Sequence, residues 1–467
     1  MAKDVPADGK RAGAIKRAGQ RKTVNAANLT LLGAPALADI LLEIAGDYPT
    51  IKRRLRLDLA GEVGATDLAG EIAKRLETVA QSGARVNWRR YKDFVREMEL
   101  SRRAIADRLA PLDAALALPL LIRLIALQPG VFDRVNDAKG EIAAMFDRAV
   151  NDIAQIAPHA SLTDPRALAD QVLDLVMHSK AQVSAPLIQA VVPALGPQML
   201  AALRGQVETA LERRARPHAG LRAAAQLLAD AQGDVDGYIA HFTPSQLVLP
   251  PIGAQAARRL LQAGRIEAAA AVMDHSAPRS RPDAPIVFNA PDSGAWDEIY
   301  IAVLEAKGDT AAAQAARWAV FEAGLSSQRL RDFLKFLPDF DDVVAEYRAM
   351  ELAAGHRNAH AALAFFLDWP ALANATALVV ERQDDLKPHD AELLTRATRA
   401  LEGRSPLAAT ILLRKMILHI ARNALDEDYK RAQSLMLEAA SLAAAIEDED
   451  IESHAAFSRQ VAQFGRW

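Results

Sequence analysis

The sequence predicts an all-α protein whose second half is an α-solenoid, an αα-superhelix of stacked helix hairpins. Alanine, the strongest helix former, makes up about a fifth of the 467 residues. The alternating runs of Val, Ile, Thr and aromatic residues that mark strands are almost absent. From about residue 245 onward, runs of Ala and Leu at helical spacing recur in pairs, each pair split by a short Gly, Pro or Asp break. Such a pair cannot bury its apolar face alone, so consecutive pairs must stack.

Taken in order, residues 1–25 are small, polar and basic and read as a disordered basic tail. Residues 26–243 read as an irregular helical region. Its first stripe, Leu37, Ile40, Leu41 and Ile44, stops at Gly46; Tyr48-Pro49 opens a second helix with Ile51, Leu55 and Leu59 on one face, ending at Gly61. Thr66 is the expected cap of a third, from about Asp67 to Ala80. A longer basic helix covers roughly Val86 to Leu109, and further helices follow around 112–127, 137–156, 165–178, 186–194, 197–213 and 217–231.

Residues 244–467 read as a tetratricopeptide-like repeat region. Hairpins break at Gly264-Arg265, Gly308-Asp309, Pro338-Asp339 and Pro370. Ser405 with Pro406 behind it is a strong helix start, followed by the stripe Ala409, Leu412, Leu413, Met416 and Ile420. Residues 275–295 carry Pro278, Pro282, Pro285 and Pro291 with no helical period, and interrupt the repeat as a loop.

Composition narrows the chemistry. There are no cysteines, which removes disulfides, thiolate metal sites and a cysteine nucleophile, and fits a reducing, cytoplasmic setting. The most apolar stretch, Leu109 to Leu127, carries Asp113, Arg123, Pro111 and Pro119, so a buried helix is expected there and no membrane span. The net charge of −3 is unevenly spread: residues 1–108 sum to +7 and the remainder to −10. That asymmetry points to an anionic partner at the N-terminal end.

Several stretches together carry a resemblance: LADILLEIA, VNWRRYKDF, VFDRVNDAKGEI, VVPALGPQML, ARWAVFEAGLS, ALAFFLDWP and SPLAATILLRKMI, in that order. From residue 28 onward the chain resembles a bacterial family of helical-repeat proteins known as a domain of unknown function. The resemblance implies a helical fold and no activity.

The best partner-binding candidates lie on the basic helix: Arg85, Trp88, Arg89, Arg90, Tyr91, Lys92 and Arg96 with Arg102, Arg103 and Arg108, extended by Lys52, Arg53, Arg54 and Arg56. Arginines beside aromatic rings contact phosphates and stack on bases. Against this, Asp93, Glu97, Glu99 and Asp107 interleave at helical spacing, as on a salt-bridged solvated face. The turn from Arg134 to Glu141 is dense in polar groups, and Asp137 is placed to cap the next helix. His356 and His360 are spaced i, i+4, but no third ligand accompanies them, so surface histidines are the simpler reading. Trp318, Phe321, Leu325, Phe365, Phe366 and Trp369 read as core between helices. No catalytic, cofactor-binding or metal-ligating set emerges. The expected function is a non-catalytic scaffold binding a protein or peptide partner; the alternatives are a nucleic-acid-associated protein using the basic N-terminal region, or an enzyme with its site in the solenoid groove.

Overall fold

Apolar periodicity becomes helix almost wherever it occurs. The computed structural model describes residues 23–178, 184–214, 218–423, 429–446 and 451–464; among these the chain is all-α, with one isolated bridge between Val86 and Val135. Of the predicted tail 1–25 only residues 23–25 are described, and the acidic run 447–450 lies outside the described residues. By its internal packing the chain divides into two units, 1–241 and 242–467.

In the first unit, Asn25 caps α1 (Ala26–Thr30) by accepting from the Asn28 amide at 2.8 Å. Next come α2 (Ala34–Asp47), α3 (Pro49–Val63) and α4 (Ala65–Gln81). Three expectations are corrected here. Gly46 and Gly61 do not end their helices, which run on to Asp47 and Val63. Gly61 serves packing: a Cβ there would sit 2.7 Å from the Arg108 guanidinium, so the side chain is left out to admit Arg108. Thr66 does not cap α4; the helix starts one residue before it, from Gly64. On the first stripe Ile40 and Leu41 remain exposed, whereas Leu68, Ile72 and Leu76 of α4 are fully buried.

The basic helix is also shorter than expected. Asn87 caps α5 (Trp88–Arg103) through the Arg90 amide, and the α-geometry then gives way to a π-helical turn over Ala104–Leu109. Asp113 caps α6 (Ala114–Ala126), and α7 (Gln128–Phe132) follows. Among the described residues, Ala114–Phe132 is the one helical run long and apolar enough to cross a membrane by length and composition. Leu118, Leu121 and Leu124 nonetheless sit in the core of this unit. The remaining helices are α8 (Glu141–Ile156), α9 (Pro165–His178), α10 (Ser184–Val191), α11 (Pro197–Arg213), α12 (Ala219–Ala231) and α13 (Val235–Ala240). Their core is mainly aliphatic and continuous from Leu57 to Leu228.

The second unit is built from hairpins. After the short α14 (Pro244–Leu247), closed by a Thr243–Gln246 capping box, α15 (Pro250–Gln262) turns into α16 (Ile266–His275). Beyond the loop, α17 (Gly294–Ala306) turns into α18 (Thr310–Gly324). Both turns use one device. Gly264 and Gly308 hold φ of 71° and 77°, and the next amide, Arg265 or Asp309, returns to the carbonyl of Leu260 or Leu304 at 2.8 and 3.0 Å. This left-handed C-terminal motif satisfies carbonyls the helix end leaves open, and glycine is the residue that adopts it without a Cβ clash.

Then follow α19 (Ser327–Leu334), α20 (Asp341–Ala354), α21 (Ala359–Asp368), α22 (Leu372–Glu381), α23 (Ala391–Leu401), α24 (Pro406–Asn423), α25 (Tyr429–Ala443) and α26 (His454–Ala462). Ser405 does cap α24, accepting from the Ala408 amide at 3.2 Å. Helices in this unit pack both on the next helix and, repeatedly, on the next but one: α15 on α17, α21 on α23, α22 on α24. The predicted aromatic core is present. Phe321 and Phe366 are fully buried, and Phe321 meets Trp318 at 5.4 Å and Phe365 at 5.5 Å between ring centres. The proline-rich loop is pinned at its ends: Trp296 Nε1 donates to Ser276 Oγ at 3.0 Å and Asn289 Nδ2 to the Val320 carbonyl at 2.6 Å.

Candidate functional site

Eight of the residues singled out by sequence fall into three different settings, all in the first unit. Tyr91, Arg134 and Asp137 form a clasp. The Tyr91 hydroxyl donates to the Asp137 carboxylate, which also accepts the Ile142 and Ala143 amides at 3.2 and 2.9 Å. Asp137 thus caps α8 from three residues before Gly140, the residue that flanks its first turn. Burial alone would raise the Asp137 pKa; the Tyr91 hydroxyl and the Ala143 and Ile142 amides outweigh it and lower the pKa. Burial, then the hydrogen bond to Asp137, pushes Tyr91 up to about 12. Arg134 donates to the Val79 carbonyl at 2.8 Å and to that of Ser82, closing the C-terminal end of α4.

Arg85, Trp88, Arg89 and Arg90 lie at the solvent edge where α5 begins. Trp88 is 80% exposed, with the Arg89 guanidinium 5.2 Å from its ring centre. None of these three arginines has a carboxylate of a described residue within ion-pairing distance.

Arg96 belongs to a cleft that no local pattern announces. Helices α3, α4 and α5 leave two adjoining cavities of about 520 and 240 Å3 between them. Tyr48, Ile51 and Arg54 line the larger from α3; Arg96, Leu100 and Arg103 face it from α5. Arg53, Arg56 and Leu57 line the smaller, opposite Lys74 and Val79 of α4. Arg75 and Glu97 line both. The predicted Arg53, Arg54 and Arg56 cluster therefore meets Arg96, while Trp88 stays outside. Arg103, already singled out on the basic helix, faces this cleft; Arg75 was the residue to find, an ordinary charge at ordinary spacing in α4.

The carboxylates at the cleft are already engaged. Glu97 is 2.6 Å from Arg53, and Glu71 is 2.8 Å from Lys74. Glu99 takes hydrogen bonds from Arg102, Arg103 and Arg148 at 2.9, 3.0 and 3.1 Å. Burial raises the Glu99 pKa, but the hydrogen bonds from Arg102, Arg148 and Arg103 win and hold it at about 2. Arg102, largely buried, also donates to Asp152 and so ties α5 to α8. Arg75 differs from its neighbours. It is half-buried, gives one hydrogen bond to the Glu97 carbonyl at 3.2 Å, and has no carboxylate of a described residue within ion-pairing distance.

In the second unit His356 and His360 do not share a helical face. His356 sits in the turn before α21, where its Nδ1 accepts from the Asn358 amide at 3.2 Å. His360 Nε2 lies 2.7 Å from the Lys387 carbonyl, with its ring against that of His389. Among the described residues no group of three or more His, Asp or Glu could hold a metal ion. An exposed apolar row is present instead. Phe336, Phe340, Val343, Val344 and Tyr347 are each more than half exposed, and Phe340 reaches 83%. The row runs over the start of α20 beside Asp339, Asp341, Asp342 and Glu346. Phe336 and Phe340 lie in the turns before α20, so no single helical stripe in the sequence announced the row.

No curated protein matches the chain. The model of a family of unknown function, DUF6880, matches residues 19–466. A match over nearly the whole length, on an all-helical chain, establishes membership: the protein belongs to the DUF6880 family.

Proposed function

We propose that the protein is a non-catalytic helical scaffold that binds a protein or peptide partner, with the unit 242–467 forming a tetratricopeptide-like α-solenoid. The alternation of next-helix and next-but-one packing supports the solenoid. One observation carries partner binding: the exposed row Phe336, Phe340, Val343, Val344 and Tyr347. Scattered exposed apolar residues are ordinary, but Phe340, Val343, Val344 and Tyr347 fall together over the start of one helix among charged residues, as an interface presents. The acidic residues at the start of α20, Asp339, Asp341, Asp342 and Glu346, favour a partner that brings basic groups there, while Arg317 and Lys335 cover Phe336. The test is affinity capture from native lysate with the full chain and with the double variant Phe340→Lys, Val344→Lys. A partner retained by the first and lost by the second is expected; an identical set from both would end this reading.

A second reading, nucleic-acid association, is favoured by exposed Trp88 under Arg89, with Arg85 and Arg90 at the same helix start lacking an ion-pair partner among the described residues. It requires single-stranded RNA or DNA to bind at low salt, to weaken steeply with added salt and to weaken in Trp88→Ala. No binding at low salt removes it.

A further inference from the structure

The cleft between α3, α4 and α5 holds Arg75, a cation with no carboxylate of a described residue within ion-pairing distance. Arg75 stands where the two cavities join, half-buried, with one donor spent on the Glu97 carbonyl. A guanidinium has five donors in a planar fork, so most of its hydrogen-bonding capacity is unused. Burial also lowers its pKa, offset by Glu97 and reinforced by Arg53. Glu71, Glu97 and Glu99 are already engaged by Lys74, Arg53 and the Arg102–Arg103–Arg148 group, and Glu97 acts on Arg75 only without a direct ion pair. Arg56 has no carboxylate of a described residue within pairing distance; Arg54 reaches Asp58 only at 3.9 Å and Arg96 reaches Asp93 only at 3.5 Å, on exposed surface.

We propose that this cleft is a docking site for an acidic peptide segment of a partner protein, with Arg75 receiving its carboxylate through paired N–H bonds. The proposal rests on the reading of the chain as a partner-binding scaffold and adds a second, chemically opposite site to the apolar row at the acidic start of α20.

Charge complementarity selects an anion, and the walls select its kind. Ile51 and Leu100 line the larger cavity, Leu57 and Val79 the smaller, which gives apolar side chains flanking the carboxylate a place to go. A nucleic acid would need flat rings for its bases, and Tyr48 is the one ring in the lining, with Trp88 elsewhere. The carboxylates on the walls repel a phosphodiester chain carrying a charge at every step, whereas a peptide can set one acid at Arg75 and neutral residues beside Glu97. Two short open clefts of about 520 and 240 Å3 suit a few side chains.

The test is selection of a displayed random dodecapeptide library on the full chain, followed by fluorescence anisotropy with the selected peptide. Selected peptides are expected to pair Asp or Glu with Leu, Ile or Phe. Arg75→Gln is expected to weaken the labelled peptide about tenfold or more, Arg75→Lys less, since it keeps the charge but loses the fork, and Arg89→Gln less than about twofold. If Arg75→Gln does not fold, the exposed pair Arg54→Gln, Arg96→Gln carries the test, with an expected loss of about fivefold at low salt. Selection without acidic bias overturns the proposal, as does unchanged affinity in folded Arg75→Gln. A single-stranded RNA dodecamer that binds more tightly than the peptide, and loses that binding in Arg75→Gln, also overturns it. Peptides whose binding survives every cleft substitution but falls with Phe340→Lys leave the scaffold reading standing and remove only the cleft; a library that yields nothing removes both.

Discussion

Residues 23–241 carry polar contacts between helices about fifty positions apart, whereas in residues 242–464 such contacts span about forty positions or fewer and act beside caps and glycine turns within each hairpin. In the first unit Arg102 reaches Asp152, Arg108 reaches Asp58, and Arg134 reaches the carbonyls that end α4. The core between them is mainly aliphatic. In the second unit Asp309, Asn358, Asp390 and Ser405 cap the helices that follow them, Gly264 and Gly308 turn the hairpins, and rings fill the seam. The difference teaches how each arrangement is specified. A local device can be repeated and builds a stack one neighbour at a time; a long-range ion pair is made once and fixes one particular arrangement.

The largest expected effect falls on the aromatic seam. Phe321→Ala removes a fully buried ring between Trp318 and Phe365 and should cost about 3–5 kcal/mol. Hydrogen exchange should show the loss in peptides from α18 and α21; unchanged protection there would mean the seam does not hold the hairpins together. Next comes the ionic tie. Arg102→Met strands Asp152 and part of the Glu99 network, at a cost of about 3 kcal/mol.

That second prediction has a pH signature. Glu99 sits at about 2 in the folded chain against an ordinary value of 4.5, so its contribution is fully present above about pH 4.5. It is lost as the pH falls toward 2. Denaturant titrations from pH 6 to 2 should show a shallower acid loss in Arg102→Met than in the parent; parallel curves would mean that Glu99 draws little from Arg102. The smallest effects separate two kinds of glycine. Gly308→Ala forces a Cβ into a left-handed turn and should cost about 1–2 kcal/mol. Gly70→Ala, in mid-helix on α4 with open space around it, should stabilise by up to about 1 kcal/mol. Equal shifts in melting temperature for the two would erase the distinction.

The same contrast explains what could be read from the sequence. Gly264, Gly308, Ser405 and the aromatic seam were legible because cap, turn and spacing lie within a few residues of one another. Gly61 was misread because its reason, Arg108, lies on another helix. Thr66 has the chemistry of a cap, but the first turn of α4 already includes it, so a propensity gave way to packing. The clasp at Asp137 was half legible: its capping role follows from its place before α8, but Tyr91 comes from 46 positions away. The cleft was the least legible feature. Arg75 is distinguished by the lack of a direct ion pair among the described residues, which is a property of three helices together.

The π-helical turn over Ala104–Leu109 gives one rod two directions of reach. An α-helix advances about 100° per residue, so a wider turn rotates everything after it out of phase with what came before. Ahead of the turn the rod offers Arg102 to α8; within it, the rod offers Arg108 to α3. The turn thus works as a phase shifter, setting by a change of pitch which neighbour each arginine addresses. In such a rod, adding or losing a single residue redirects contacts without breaking the helix.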